Sequence, residues 1–167
     1  MIYDSLAIND IRKYVWAKIV EAGLLDPDDY RVDGIPQPLV PIIPSQQVPE
    51  FVNLLTGKAF IIYEYKVYPT KVQWWMTDET ATFYIDTPNF DLSNRIVNLL
   101  HDLFRRFDES AGELNDYLAG QTNFIFHNTS IGAIDSALPS KVEGGFQEAI
   151  VEVDYTYSRN TGSSGRF

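Results

Sequence analysis

The sequence predicts an α+β fold of two layers: an antiparallel sheet of about four strands, two or three helices packed on one of its faces, and a protruding hairpin. Three observations lead there. Residues 60–68, 81–86 and 149–157 alternate in side-chain character with period two, which gives one dry and one wet face and suits antiparallel pairing. Two other segments, 4–22 and 91–107, place apolar residues at steps of three and four, the pattern of helices that bury one stripe. A sheet with one wet face needs cover only on the other, so the helices can share the dry side.

Taken in order, the first helix lies between Asp4 and Ala22. Ile8, Ile11, Val15, Ile19 and Ala22 share a face, and Arg12, Lys13, Lys18 and Glu21 sit mostly off it. Asp4 or Asn9 can cap its start, and Gly23 suits the left-handed position just past its end. Residues 26–49 then hold six prolines, at 27, 36, 38, 41, 44 and 49. Each lacks a backbone donor, which argues against a central strand there. Leu39-Val40 and Ile42-Ile43 can still form an edge strand or an extended cover. A loop of this length is more often functional or ordered by a partner than idle, which makes Leu39 and Ile42 candidate contact residues.

The first long strand, 60–68, puts Ile61, Tyr63, Tyr65 and Val67 on one face and Glu64 and Lys66 on the other, with Phe60 and Ile62 making the second face mixed at its start. Residues 68–80 form a hairpin arm. In 81–86, Ala81, Phe83 and Ile85 oppose Thr82, Tyr84 and Asp86. In 149–157, Ala149, Val151, Val153 and Tyr155 oppose Ile150, Glu152, Asp154 and Thr156. Residues 124–129 are a fourth candidate strand. The second helix is capped by Asp91 or Ser93 and buries Leu92, Ile96, Leu99, Leu100, Leu103 and Phe107. Ser110-Ala111-Gly112-Glu113 matches a capping box for a short third helix through Leu118, ended by Gly120. Residues 1–158 read as a single domain, and the glycine- and serine-rich residues 159–167 as a flexible tail.

Composition narrows the function. Lys+Arg total 13 against 23 Asp+Glu, a formal net charge of −10. A general nucleic-acid binder needs cations to displace phosphate counterions, so this balance argues against one. It does not exclude a protein that encloses a polyanion without gripping it, because like charge prevents sticking. The chain has no cysteine, which removes disulfides, thiolate metal sites and cysteine nucleophiles. The start Met1-Ile2-Tyr3-Asp4 lacks the basic and apolar regions of a secretory signal, and no apolar run approaches the roughly 20 residues of a membrane span. An intracellular, soluble protein without a membrane partner is the expectation.

Catalytic and metal motifs are missing. His101 falls on a helix and His127 in a strand, neither at motif spacing to a serine, a carboxylate or the other histidine. No H-E-x-x-H, G-x-S-x-G or phosphate-cradling loop occurs, and Gly132 and Gly144-Gly145 read as turn residues. Asp26, Asp28, Asp29 and Asp33 resemble a calcium loop until the register is counted: Arg31 stands where glycine is required and Gln37 where a bidentate glutamate is required. Glu64, Asp86 and Glu152 could meet as paired carboxylates on the wet face, but scattered acids are ordinary on a solvated face. The expectation is therefore no enzyme, no metal and no cofactor. Glu64, Asp86, Glu152 and Asp154 mark a wet or channel-facing surface. Trp74 and Trp75 are adjacent, so in an extended segment they point to opposite faces and cannot both enter one core. With Val72 and Met76 they form a candidate partner contact, since tryptophan favours interface hot spots.

The order of an N-terminal helix, a proline-rich stretch, the strand Phe60-Ile61-Ile62-Tyr63-Glu64-Tyr65, a protruding hairpin, the strand end Tyr84-Ile85-Asp86-Thr87, the helix Asn94-Arg95-Ile96-Val97-Asn98-Leu99-Leu100 and two closing strands resembles the tail-terminator (tail-completion, or neck) proteins of long-tailed bacteriophages. The likeness is one of layout and covers residues 1–158. It implies a non-enzymatic virion protein, assembled in the host cytoplasm, that forms a ring, commonly a hexamer. Such a ring caps the tail tube and presents a surface to head-side connector proteins, and DNA passes through it without specific binding. Another phage or secretion-machine adaptor, a small carboxylate-dependent enzyme and a ligand-binding domain remain the alternatives.

Overall fold

The computed structural model describes residues 6–48, 54–55, 57–69, 75–137 and 146–159. Among them are three α-helices, α1 (Ala7–Glu21), α2 (Phe90–Phe104) and α3 (Phe107–Leu118), and five strands, β1 (Ile42–Pro44), β2 (Phe60–Pro69), β3 (Met76–Thr87), β4 (Phe124–Asp135) and β5 (Gln147–Arg159). The strands form one open sheet in the order β1-β2-β3-β5-β4. The fold class is α+β, as the alternation predicts. The sheet has five strands where about four were expected, and it is mixed, because β1 runs parallel to β2 while every other pair is antiparallel.

The additional strand comes from the proline-rich stretch. Pro41 and Pro44 bracket Ile42-Ile43, and Ile42 pairs with Ile61 at the sheet margin, where a missing donor costs least. Arg12 on α1 donates from Nε to the Ile42 carbonyl at 2.5 Å. Ile42 is wholly buried, which corrects its expected place at a partner contact: it packs into its own core. Leu39 is half-buried against the same core, and its N–H bonds the Tyr30 carbonyl.

The dry face is built as the alternation requires. Ile61 and Tyr63 on β2, Ala81, Phe83 and Ile85 on β3, and Ala149, Val151, Val153 and Tyr155 on β5 are all buried. The helices supply the second layer. α2 packs on β5, β3 and β4, α3 lies along β4, and α1 packs on both helices, with Tyr14 edge-on to Phe104. α1 buries Ile8, Ile11, Val15 and Ile19. It ends where Gly23 adopts φ 71°, sending its N–H to the Val20 carbonyl while the Leu24 N–H bonds the Ile19 carbonyl. That pair of bonds is a Schellman cap. Asn9, a candidate cap, lies inside the helix, and Asp4 lies outside the described residues.

Two helix boundaries differ from expectation. Asn89 caps α2, its Oδ1 accepting from the N–H groups of Asp91 and Leu92, while Ser93 is buried with its hydroxyl on Thr87 Oγ1 at 2.8 Å. The chain also turns at Arg105 and Arg106, so α2 closes its core stripe with buried Phe104. Phe107 instead opens α3 at φ 52° with its ring exposed. Ser110 does not cap α3. Its hydroxyl accepts from the Arg106 N–H, and the Arg106 guanidinium pairs with Glu109 and Glu113.

Candidate functional site

β2, β3 and β5 present their even-numbered side chains on the face away from the helices, and β4, whose phase is shifted by two bulges, adds Asn128, Ser130 and Asp135 to it. Cross-strand register sets the rows on that face. Asp86 stands opposite Phe60 and Glu148, Thr82 opposite Glu64 and Glu152, Thr80 opposite Lys66 and Asp154, and Asp78 opposite Tyr68 and Thr156. Asp135 of β4 pairs with Ile150 on the same face. Seven carboxylates (Glu64, Asp78, Asp86, Asp135, Glu148, Glu152 and Asp154) thus share a surface on which, among the described residues of these strands, Lys66 is the one lysine or arginine. Hydroxyls between the acids hold several of them. Thr80 Oγ1 donates to Asp154 and Thr156 Oγ1 to Asp78, each at 2.6 Å, and Tyr84 Oη donates to Glu64 at 3.4 Å.

Glu64, Asp86, Glu152 and Asp154 therefore sit on the wet face where alternation places them, but they do not converge. Glu64 and Glu152 flank Thr82, with a full strand between them. Asp86 lies four residues along β3 from that row, about 13 Å at the usual rise per residue. The carboxylates that do meet are Asp86 and Glu148. Burial, then the hydrogen bond to Glu148 and its negative charge, push Asp86 up to about 8. The pair holds a proton well above the ordinary carboxylate range. Glu148 has no sequence signal of its own, because the contact depends on the register between β3 and β5.

Gly132 is not a turn residue. It forms a bulge in β4 between Ile131 and Ala133, and a Cβ there would lie 2.8 Å from Asp154 Oδ2 and 3.0 Å from Glu152 Oε1. The missing side chain lets these two acids lean across the bulge. His127 occupies the other β4 bulge, exposed, with Nε2 2.8 Å from Ser158 Oγ. His101 is exposed near the end of α2.

The dry face carries one acid that sequence reasoning passed over. Glu79 is buried, accepting hydrogen bonds from the hydroxyls of Tyr155 and Tyr157. Burial raises its pKa, and the two phenolic donors oppose that rise. The sequence carries a signal for it: Glu79 is in phase with Ala81, Phe83 and Ile85, two residues before the alternating run 81–86.

Past Ala81 the β2–β3 ladder continues as an arm, paired as far as Pro69 and Thr77. Its apolar side chains are open: Tyr65 is 38% exposed, Val67 43% and Trp75 42%. Met76 is half-buried at the start of β3, opposite Ser158. Val72 and Trp74, expected at the tip, lie outside the described residues, as do Gly144-Gly145 and the tail from 160 onward. At the opposite end of β2 an apolar cavity of about 270 Å³ is lined by Ile43, Val48, Leu55, Gly57, Phe60, Ile62 and Phe146.

Among the described residues no group of three or more His, Asp or Glu is placed to hold a metal ion, and no helix is long and apolar enough to cross a membrane. What the site defines is an α+β protein with an acidic sheet face and an exposed aromatic arm. No protein-family model and no curated protein sequence matches the chain.

Proposed function

We propose that this chain is a non-enzymatic structural subunit of the tail-terminator kind, a ring-forming virion component that caps a phage tail tube and joins it to the head. The observation that carries the reading is the pairing of surfaces: a carboxylate-rich sheet face with one lysine among the described residues, continuous with an arm on which Tyr65, Val67 and Trp75 stand exposed. A like-charged wall lets a polyanion pass without adhering. Exposed Tyr, Trp and Val side chains gathered on one projection are costly in an isolated molecule and favourable when a partner covers them. In this reading the acidic face borders the DNA channel, and the arm contacts neighbouring subunits, the tube or a head-side connector.

The test is the mass of the purified protein by native mass spectrometry across a concentration series, followed by binding to isolated tail tubes. A closed ring, with six copies as the expected number, that binds tube ends supports the proposal. A monomer at every concentration that ignores tube ends removes it. A second reading, a ligand-binding domain, rests on the apolar cavity beside Phe60 and Phe146. Saturable binding of an aliphatic ligand, abolished by Ile62→Asp, would favour it.

A further inference from the structure

Among the described residues, both margins of the sheet carry edge positions with no strand beside them. β1 pairs only with Ile61, Ile62 and Tyr63 of β2. The Ile61 N–H points to that margin, bonding the Pro41 carbonyl. Backbone groups alternate sides along a strand, so Tyr65 and Val67 also aim their N–H and C=O outward. No strand among the described residues pairs with them there.

At the far margin β4 is the last strand. Its outer edge is blocked at Phe126, whose N–H and C=O are both taken by the Asn115 side-chain amide, at 2.9 and 2.8 Å. Thr129 is buried under the end of α2, its hydroxyl bonded to the Phe104 carbonyl. Beyond it, Ile131 and Ile134 stand opposite Val153 and Val151, in the phase that turns backbone groups outward. These two positions have no strand beside them among the described residues. Proteins usually blunt such edges, because an open ladder is a template for another chain. Here α3 blunts β4 only over its first residues.

We propose that the outer edge of β2 in one copy of this chain pairs with the outer edge of β4 in the next, through Tyr65 and Val67 on one side and Ile131 and Ile134 on the other. This seam rests on the ring reading above and names the contact that would close it. Three features make a second copy the occupant. First, the side chains match. Tyr65, Val67 and Ile134, the last 36% exposed, all project on the dry face at the two margins, and pairing would set them side by side as cross-strand neighbours. Second, the antiparallel register that sets Val67 beside Ile134 also sets Lys66 beside Asp135 on the wet face.

Third, strand direction permits closure. From β2 through β3 and β5 to β4 every step is antiparallel, so β2 and β4 run in opposite directions. A copy rotated about an axis along the strands brings its β2 antiparallel to the first copy's β4, and the alternation continues across the seam. The contact joins two different surfaces, so it is heterologous and generates a ring when the rotation closes. Self-pairing of β2 edges would instead stop at a dimer.

The test uses Val67→Pro and Ile134→Pro, each removing an outward donor while leaving the inner ladder its bonds. Val67→Lys and Ile134→Lys repeat it without altering the backbone, and far-UV circular dichroism confirms folding. Native mass spectrometry is expected to show a wild-type ring, a monomer for each variant, and a 1:1 heterodimer and nothing larger when the Val67 and Ile134 variants are mixed, since one intact edge of each remains. A ring that survives both substitutions overturns the seam and leaves the ring reading standing. Loss of assembly with Val67→Pro but not Ile134→Pro also overturns it, in favour of β2 self-pairing. A wild-type protein that is monomeric at all concentrations and ignores tube ends overturns the seam and the ring together.

Discussion

The β2–β3 ladder is one continuous antiparallel pairing, yet its two halves live in different environments. At the near half, Ile61, Tyr63, Phe83 and Ile85 are buried beneath the helical layer. At the far half, residues of the same phase diverge: Tyr65 and Val67 stand open, while Glu79 is buried with the hydroxyls of Tyr155 and Tyr157 of β5 on its carboxylate. Period-two alternation decides which face a side chain takes. How far the second layer reaches along the strand decides whether that face is dry. The arm is the part of the sheet that the helices do not cover, and its open side chains are where the proposed assembly would act.

Substitutions should separate the halves by magnitude. Phe83→Ala removes a wholly buried ring and is expected to cost about 3–5 kcal/mol in denaturant unfolding, the usual range for a buried aromatic truncated to alanine. A loss under about 1 kcal/mol would mean the near half is not the core. Glu79→Ala should cost less, about 1–3 kcal/mol, because it strands the buried Tyr155 hydroxyl without its acceptor. Glu79→Gln, which keeps an acceptor, should recover part of that loss.

The acids also link stability to pH. Asp86 has a folded pKa near 8 against an unfolded value of 3.8, and Glu79 is likewise raised by burial. For a carboxyl raised on folding, the unfolded chain releases its proton first. Both groups therefore subtract stability as pH climbs from the ordinary carboxylate range, and for Asp86 the loss is complete above about 8. Thermal unfolding of Asp86→Asn is expected to vary less between pH 5 and pH 8.5 than that of the wild type. An unchanged profile would mean that Asp86 and Glu148 share no proton. At the small end, Val67→Ala should change unfolding free energy by no more than about 0.5 kcal/mol, as exposed positions do, while weakening assembly. A large loss in the monomer would show that the arm is part of the core after all.

Much of this was legible in the residues. The alternation in 81–86 and 149–157 assigned both faces correctly, and Glu64, Asp86, Glu152 and Asp154 stand on the wet side as read. Gly23 ends α1 because a left-handed residue there costs glycine nothing. Ile42-Ile43 between prolines lies at a sheet margin, as its missing donors demand, though it turned inward and not toward a partner. Less visible were Asn89 as the cap of α2 and Phe104 in the place expected for Phe107. Both depend on where the chain turns, and a broad apolar stripe reads on past a helix end without a break.

Local periodicity thus settled the fold class, the inside and outside of each strand and the acidity of the open face, because each depends on residues two to four apart along one chain. Only the folded molecule could bring Asp86 to Glu148, place Glu79 under two tyrosines, add β1 as a parallel fifth strand and leave Tyr65 and Val67 of β2 and Ile131 and Ile134 of β4 with no strand beside them among the described residues. Those features depend on register and on the extent of the covering layer. Both arise between segments far apart in sequence, where no single stretch of residues holds the information.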